Sequence, residues 1–228
     1  MATVADVRPV PTLVEAVPAA DPAPLGLGAF ALTTFVLSGH NATFIPDLIW
    51  VGLALFYGGL IQLLAGMWEF RNRNVFGATA FSTYGGFWMS FGIFVTLFVV
   101  SKNFHAALTA NPGDLPNAAA WFLIAFAIFN TYMLLWSMRV SIAVFAVFLT
   151  LEATEILLAI GNFDIAHGNA NNGWIHTGGW VGIATAACAW YASAAGVVNG
   201  MAAPARVLPV GNPMWAGTGS PMPRGVQA

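Results

Sequence analysis

The sequence predicts an all-α protein that crosses a membrane six times. Hydrophobic residues make up 58% of the 228 residues, whereas charged residues make up only 7%. A soluble domain carries about 25% charged residues, so this chain has too few to solvate a globular surface. The apolar residues fall into six long runs separated by polar, proline- or glycine-containing stretches. These features are typical of a polytopic membrane protein.

The apolar runs define a membrane domain, residues 21–203, between two tails. The expected helices 1 to 6 are 25–40, 47–70, 77–100, 118–138, 140–161 and 175–200. Pro46 and Asp47 mark the start of helix 2, and Arg139 marks a tight turn before helix 5. Residues 1–20 are polar and contain proline, so we expect a disordered tail without a cleaved signal peptide. Residues 204–228 form a second polar tail.

Basic residues predict the orientation of these helices. Six spans place both termini on one side of the membrane. That side then carries every arginine: Arg8, Arg71, Arg73, Arg139, Arg206 and Arg224. Only Lys102 lies on the other side. Because short loops rich in Lys and Arg stay in the cytoplasm, we expect cytoplasmic termini and an inner or plasma membrane location.

The stretch Asp21-Pro22-Ala23-Pro24-Leu25-Gly26-Leu27 leads into helix 1. Its two prolines resist regular helix, because each fixes φ and lacks a backbone donor. We therefore expect an irregular segment at membrane depth, followed by a helix whose free N–H groups and positive end attract an anion. The alternative is a plain proline-rich helix start.

Motifs along residues 21–211 resemble the acetate uptake transporter family of bacterial acetate–succinate permeases and fungal relatives. Residues 21–27 are similar to the family signature Asn-Pro-Ala-Pro-Leu-Gly-Leu, with Asp21 in place of the first Asn. The other similar stretches are Phe56-Tyr57-Gly58-Gly59, Tyr84-Gly85-Gly86-Phe87-Trp88, 175–182 and Val207-Leu208-Pro209-Val210-Gly211. Asp21 departs from the family pattern, because it adds a negative charge where an anion is expected to pass.

The resemblance implies a homo-hexamer in which each protomer has its own pore through a six-helix bundle. It also implies that Phe30, Tyr84 and Leu151 line the narrowest point of that pore. From the rise per residue, they lie roughly 8, 10 and 17 Å from the cytoplasmic helix ends, which allows one constriction. An apolar constriction gates by dewetting. The alternative is that all three are ordinary core residues.

Polar side chains on the same helices are candidates for handling a carboxylate. Hydroxyl and amide donors can replace part of its hydration without holding it permanently. Besides residues 21–27, the substrate-binding candidates are Thr33, Thr34, Asn41, Gln62, Asn130, Asn162 and His176. Asn130 with Thr131 equally suits an interhelical hydrogen bond.

Two glutamates, Glu152 and Glu155, lie in the middle of helix 5. Glu155 follows Leu151 by one turn and should approach the pore, whereas Glu152 is rotated by about 100° toward a neighbouring helix or protomer. With no basic residue at this depth, we expect both to be protonated. They are proton-linked candidates; the alternatives are selection against anions, or one structural hydrogen bond.

The resemblance implies transport of small monocarboxylates, with acetate first and succinate, formate, lactate or propionate as further candidates. Passage is channel-like or coupled to protons. The alternatives are a urea or short-amide channel, because such channels share the six-helix hexameric plan, and an acetate-sensing membrane protein. The sequence shows no nucleophile–base pair, so we expect no enzyme activity, and we expect neither a cofactor, a metal site nor a nucleic-acid partner.

Overall fold

The computed structural model describes residues 19–169, 172–201 and 207–215, and within these ranges it contains helices and no strand. Six helices are long and apolar enough to cross a membrane. They are α1 (Ala23–Asn41), α2 (Ile49–Arg71), α3 (Val75–Val100), α4 (Asp114–Ser137), α5 (Ile142–Ala166) and α6 (Gly173–Met201). A short helix, Lys102–Leu108, precedes α4. The expected six-helix membrane fold is confirmed. The outer parts of both tails lie outside the described residues.

The proline-containing stretch before α1 is more regular than we expected. α1 begins at Ala23 with Pro24 in its first turn, two residues before the predicted start. Proline is tolerated there because first-turn N–H groups have no intrahelical acceptor. Asp21 Oδ1 accepts a hydrogen bond of 2.9 Å from the Ala23 N–H. An irregular segment therefore does not precede Leu25.

Two other helices extend beyond their predicted ends. α4 begins at Asp114, four residues early, after Gly113 adopts a left-handed φ of 98°. α5 continues to Ala166 rather than ending at Gly161. Gly161 lies against Ile175 of α6, where an added Cβ would be 2.7 Å from a side-chain carbon. The Gly/Asn-rich loop is correspondingly shorter, because local glycine content did not end the helix.

A π-helical turn, Phe56–Ile61, interrupts α2. It contains Gly58 and Gly59, which lie against α1 and α3. A Cβ on Gly58 would be 2.6 Å from Thr33 Oγ1, and one on Gly59 would be 2.5 Å from a Met89 side-chain carbon. The two glycines therefore allow close helix contact at a turn whose hydrogen bonding is already loosened.

The six membrane helices form a closed ring. α1 packs against α2 and α6, α5 lies between α6 and α4, and α3 completes the ring between α2 and α4. Small residues bring α6 close to α1: a Cβ on Gly196 would be 2.7 Å from a ring carbon of Pro24. The Ser193 hydroxyl donates to the Pro24 carbonyl at 2.6 Å.

The two ends of the ring differ in charge. Arg71, Arg73 and Arg139 lie at one end, here called the arginine end, and Lys102 lies at the other, the lysine end. The segment 207–215 crosses the arginine end. Its Val210 carbonyl accepts from the Ala143 N–H at 2.9 Å, and its Met214 N–H donates to the Met138 carbonyl at 2.8 Å. This segment therefore ties the ends of α4 and α5 together.

Candidate functional site

A cavity of about 520 Å³ runs inside the ring toward the lysine end. Most of its wall is apolar, and the ring of Phe122 stacks on those of Phe87 and Phe91 there. Near its mouth, Asp47 Oδ1 accepts a 3.0 Å hydrogen bond from Trp50 Nε1. The same oxygen lies 3.5 Å from His40 Nε2. The cavity therefore has a polar rim and an apolar interior.

Phe30, Tyr84 and Leu151 lie together at the base of this large cavity. All three are buried, and the Phe30 and Tyr84 ring centroids are 5.7 Å apart. Phe148 lies on the far side, with its ring 6.5 Å from that of Tyr84, and lines a second cavity. The three residues that the resemblance selected thus contribute to one apolar layer between the cavities. Their role as a gate stays a prediction.

The second cavity is small, about 70 Å³, and lies at the arginine end. Asp21, Pro24 and Leu27 line it together with Asn74 of α3 and Val210 of the 207–215 segment. Other residues of the 21–27 stretch have different positions. Leu25 is exposed, Pro22 is buried at the cap, and Gly26 packs against the ring of Phe81.

Three buried polar atoms on the large-cavity wall have no hydrogen-bond partner among the described residues. They are Thr34 Oγ1, Trp88 Nε1 and Glu155 Oε2. A buried hydroxyl or indole N–H ordinarily finds a partner, so these atoms mark where a polar ligand would be stabilised. Sequence reasoning selected Thr34 and Glu155 but missed Trp88. Its available signal was an indole N–H in the middle of an apolar span.

A hydrogen-bonded network surrounds the glutamates of α5. The Tyr84 hydroxyl lies 2.9 Å from Asn130 Oδ1 and 3.4 Å from Glu155 Oε1. Asn130 Nδ2 donates to Glu152 Oε2 at 2.7 Å, and the Thr131 hydroxyl donates to Glu152 Oε1 at 2.8 Å. Glu152 thus faces α4, as its rotation from Glu155 predicted.

No lysine or arginine in the part of the chain that the structure describes lies in the middle of a membrane helix near these carboxyl groups. Every lysine and arginine in the described ranges lies in a loop or at a helix end: Arg71, Arg73, Lys102 and Arg139. Glu155 is 3% exposed. An isolated carboxylate in such a place costs several kcal/mol, whereas a protonated carboxyl can both donate and accept hydrogen bonds. The site is therefore suited to a neutral, protonated carboxyl group.

The remaining polar candidates divide into two groups. Asn41 and Asn162 line the large cavity toward the lysine end. Thr33 does not line this cavity. As the neighbour of Thr34 it points to a different side of α1, and its hydroxyl donates to the Ala29 carbonyl at 3.0 Å.

The other candidates also lie off the cavity walls. Gln62 is buried, lines neither cavity, and directly follows the π-helical turn of α2. Asn130 is buried between helices in the network described above. His176 is exposed beside Trp180 near the lysine end. Direct contact with a molecule inside either cavity is thus not supported for these three.

Residues 5–210 match the model of the GPR1/FUN34/yaaH family. The chain belongs to this family. The match covers all six membrane helices and confirms the resemblance seen in the sequence motifs.

Relatives within the family come from fungi and bacteria. Acetate permease A of Emericella nidulans is 44% identical over 215 residues, which cover 90% of this chain and 70% of that protein. The succinate-acetate/proton symporter SatP of Escherichia coli is 36% identical, with 84% of this chain and 95% of that protein covered. The chain spans 62 to 64% of the length of three further fungal relatives.

A solved structure of the bacterial acetate channel SatP has the same fold. It superposes with a TM-score of 0.74 at 32% sequence identity, covering 85% of this chain and 99% of that one. The six-helix ring is therefore a shared feature of the family.

Proposed function

We propose that this chain transports small carboxylates across a membrane, with the monocarboxylate acetate as the first substrate and the dicarboxylate succinate as the second. The observation that carries the proposal is the large cavity, which ends on an apolar layer and offers unpartnered polar atoms just above it. The names of two relatives, acetate permease A and the succinate-acetate/proton symporter SatP, support the same substrate class. We assign no covalent chemistry to the chain.

The geometry suits an amphipathic acid. The methyl group of acetate would lie against the aromatic wall, while its carboxylate would accept from the Trp88 indole N–H and the Thr34 hydroxyl. Both donors are neutral, so they can replace part of the hydration of an anion without trapping it. Passage then requires side chains of the layer, above all Phe30 and Leu151, to move aside briefly.

Glu155 is the proton-linked residue in this proposal. Its unpartnered Oε2 belongs to the wall that receives the substrate, and its other oxygen lies near Tyr84. A protonated Glu155 can transfer its proton to an arriving carboxylate, so that the acid passes the layer in its neutral form. The Glu155 carboxylate left behind then takes up a proton from the solution on the large-cavity side. Glu152 has both oxygens engaged by α4, so we do not assign it a proton-linked role.

The arginine end is the cytoplasmic end in our proposal. The described basic residues divide three to one in its favour: Arg71, Arg73 and Arg139 against Lys102. Both termini would then be cytoplasmic, and the large cavity would open to the outside. We also propose a homo-hexamer with one pore per protomer, on the strength of the family resemblance.

Flux measurements in proteoliposomes test the substrate class. Uptake of labelled acetate should exceed that of protein-free liposomes, rise as the external pH falls, and be insensitive to excess urea. The matched comparison is labelled urea in the same vesicles. Urea flux without acetate flux would overturn the proposal and favour an amide channel on the same scaffold. Absence of both fluxes would favour a sensory role.

A further inference from the structure

The side-chain amide of Asn130 is held in one orientation. Its Nδ2 donates one hydrogen to Glu152 Oε2 at 2.7 Å and the other to the Phe148 carbonyl at 3.0 Å. An amide nitrogen has only two hydrogens, so both are used. A flipped amide would place its oxygen against the Phe148 carbonyl, which can only accept, and would lose the bond to it. The only arrangement that satisfies the site directs Asn130 Oδ1 toward Tyr84.

The Tyr84 hydroxyl has few alternatives to this bond. The rings of Phe87, Phe126, Phe129 and Phe148 surround the tyrosine ring at centroid distances of 5.5 to 6.5 Å. Aromatic rings offer no strong acceptor for a buried hydroxyl. Among the described residues, its hydrogen-bond contacts are Asn130 Oδ1 at 2.9 Å and Glu155 Oε1 at 3.4 Å. The shorter contact fixes the direction of the hydroxyl and hence of the ring.

We infer that Asn130 and Glu152 are positioning residues that fix Tyr84 and so set the size of acid that passes the apolar layer. Glu152 orients the amide of Asn130, and Asn130 holds the hydroxyl of Tyr84 toward α4. Neither residue lines the large or the small cavity. The inference rests on the proposed transport function for its consequence, but the positioning of Tyr84 can be measured without transport.

Loosening Tyr84 should relax the size limit. In Asn130→Leu the Tyr84 hydroxyl loses the shorter of its two hydrogen-bond contacts. The ring can then move aside more readily for a larger permeant. One hydrogen bond of this kind changes an equilibrium by about 2- to 10-fold, so the butyrate-to-acetate flux ratio should rise by that factor. Glu152→Leu should act in the same direction but less, and Glu152→Gln, which keeps an acceptor, should resemble the wild type.

A double-mutant cycle separates positioning from a general loss of structure. Tyr84→Phe lacks the hydroxyl, so it should raise the same ratio, and adding Asn130→Leu to it should have no further effect. Ser137→Ala is the matched control, because it removes another buried side-chain bond of α4, to the Leu134 carbonyl, far from Tyr84. Additive effects of Asn130→Leu and Tyr84→Phe would overturn the inference.

Fluorine NMR on protein labelled with 3-fluorotyrosine provides the readout that needs no transport. The chain has four tyrosines, and the Tyr84 signal is the one missing from Tyr84→Phe. We expect one sharp Tyr84 signal in the wild type and in Ser137→Ala, and a broadened or split signal in Asn130→Leu. An unchanged signal in Asn130→Leu would overturn the inference. Failure of the proposed function would instead leave this spectrum as expected while acetate flux is absent.

Discussion

The large and the small cavity lie on opposite sides of one apolar layer and differ in volume and in the polarity of their walls. The cavity at the lysine end holds about 520 Å³ and contains Thr34, Trp88 and Glu155 with unpartnered polar atoms. The cavity at the arginine end holds about 70 Å³ and is crossed by the segment that contains Val210. The comparison shows a conformation that is wide on one side of the layer and narrow on the other.

The largest expected effect comes from the polar wall of the large cavity. Trp88→Phe removes the indole N–H but keeps an aromatic ring. Hydrogen bonds to charged groups contribute about 1.5 to 3 kcal/mol, so acetate uptake at low concentration should fall by about 10- to 100-fold. Trp121→Phe is the control, because Trp121 is exposed on α4. Equal uptake by Trp88→Phe and wild type would remove this residue from the pathway.

Widening the apolar layer should have the next largest effect. Leu151→Ala removes a buried side chain beside Phe30 and Tyr84, which should admit propionate and lactate several-fold faster. It should also cost about 2 to 5 kcal/mol of stability if the space does not collapse. Leu149→Ala, on the exposed face of α5, should change neither property. Flux of the larger acids and thermal unfolding together check this, and an unchanged size preference would argue against a constriction here.

The segment at the arginine end can be tested through Gly211, whose φ is 75°. A Cβ there would be 2.6 Å from Ile142, and left-handed backbone costs a residue with a side chain about 1 to 2 kcal/mol. Gly211→Ala should therefore loosen the segment and speed hydrogen exchange of the Ala143 amide by about 5- to 30-fold. Gly200→Ala meets nothing within 4 Å and should leave that exchange unchanged. Equal Ala143 exchange rates in Gly211→Ala and the wild type would show that the position of the 207–215 segment does not depend on the turn at Gly211.

Substitution of Asp21 should have the smallest effect on acetate uptake. Asp21→Asn keeps the acceptor for the Ala23 N–H and removes one exposed charge from the mouth of the small cavity. Acetate uptake should rise by less than about 2-fold, and the gain should vanish at high salt because exposed charges are screened. A gain that persists at high salt would mean that Asp21 acts through structure rather than charge.

The sequence predicted the six helices because long apolar runs with few charges leave little choice of fold. It was less accurate about helix ends. Pro24 fits into a first turn that proline was expected to disrupt, and Gly161 stays helical because Ile175 covers it. The first outcome follows from the local tolerance of a first turn for proline. The second depends on packing between helices, which local residue preferences do not contain.

The sequence could predict which residues line a cavity where a regular helical period decides which side of the helix they occupy. Leu151 and Glu155 are one turn apart, and both line the large cavity. Gln62 follows the π-helical turn of α2, which a regular helical period does not anticipate. Trp88 was missed because its lack of a hydrogen-bond partner is a property of the folded ring and not of its neighbours in sequence.

The most direct test of the account is the pH dependence of acetate uptake by Glu155→Gln. Uptake would be measured across a pH series in proteoliposomes, with the flux of protein-free liposomes subtracted and Glu152→Gln as the matched control. Glutamine keeps the size and hydrogen-bonding capacity of the side chain but cannot exchange a proton. We expect a flattened pH profile for Glu155→Gln and a profile close to wild type for Glu152→Gln. An unchanged profile for Glu155→Gln would contradict the claim that this carboxyl group supplies the proton with which the acid passes the layer.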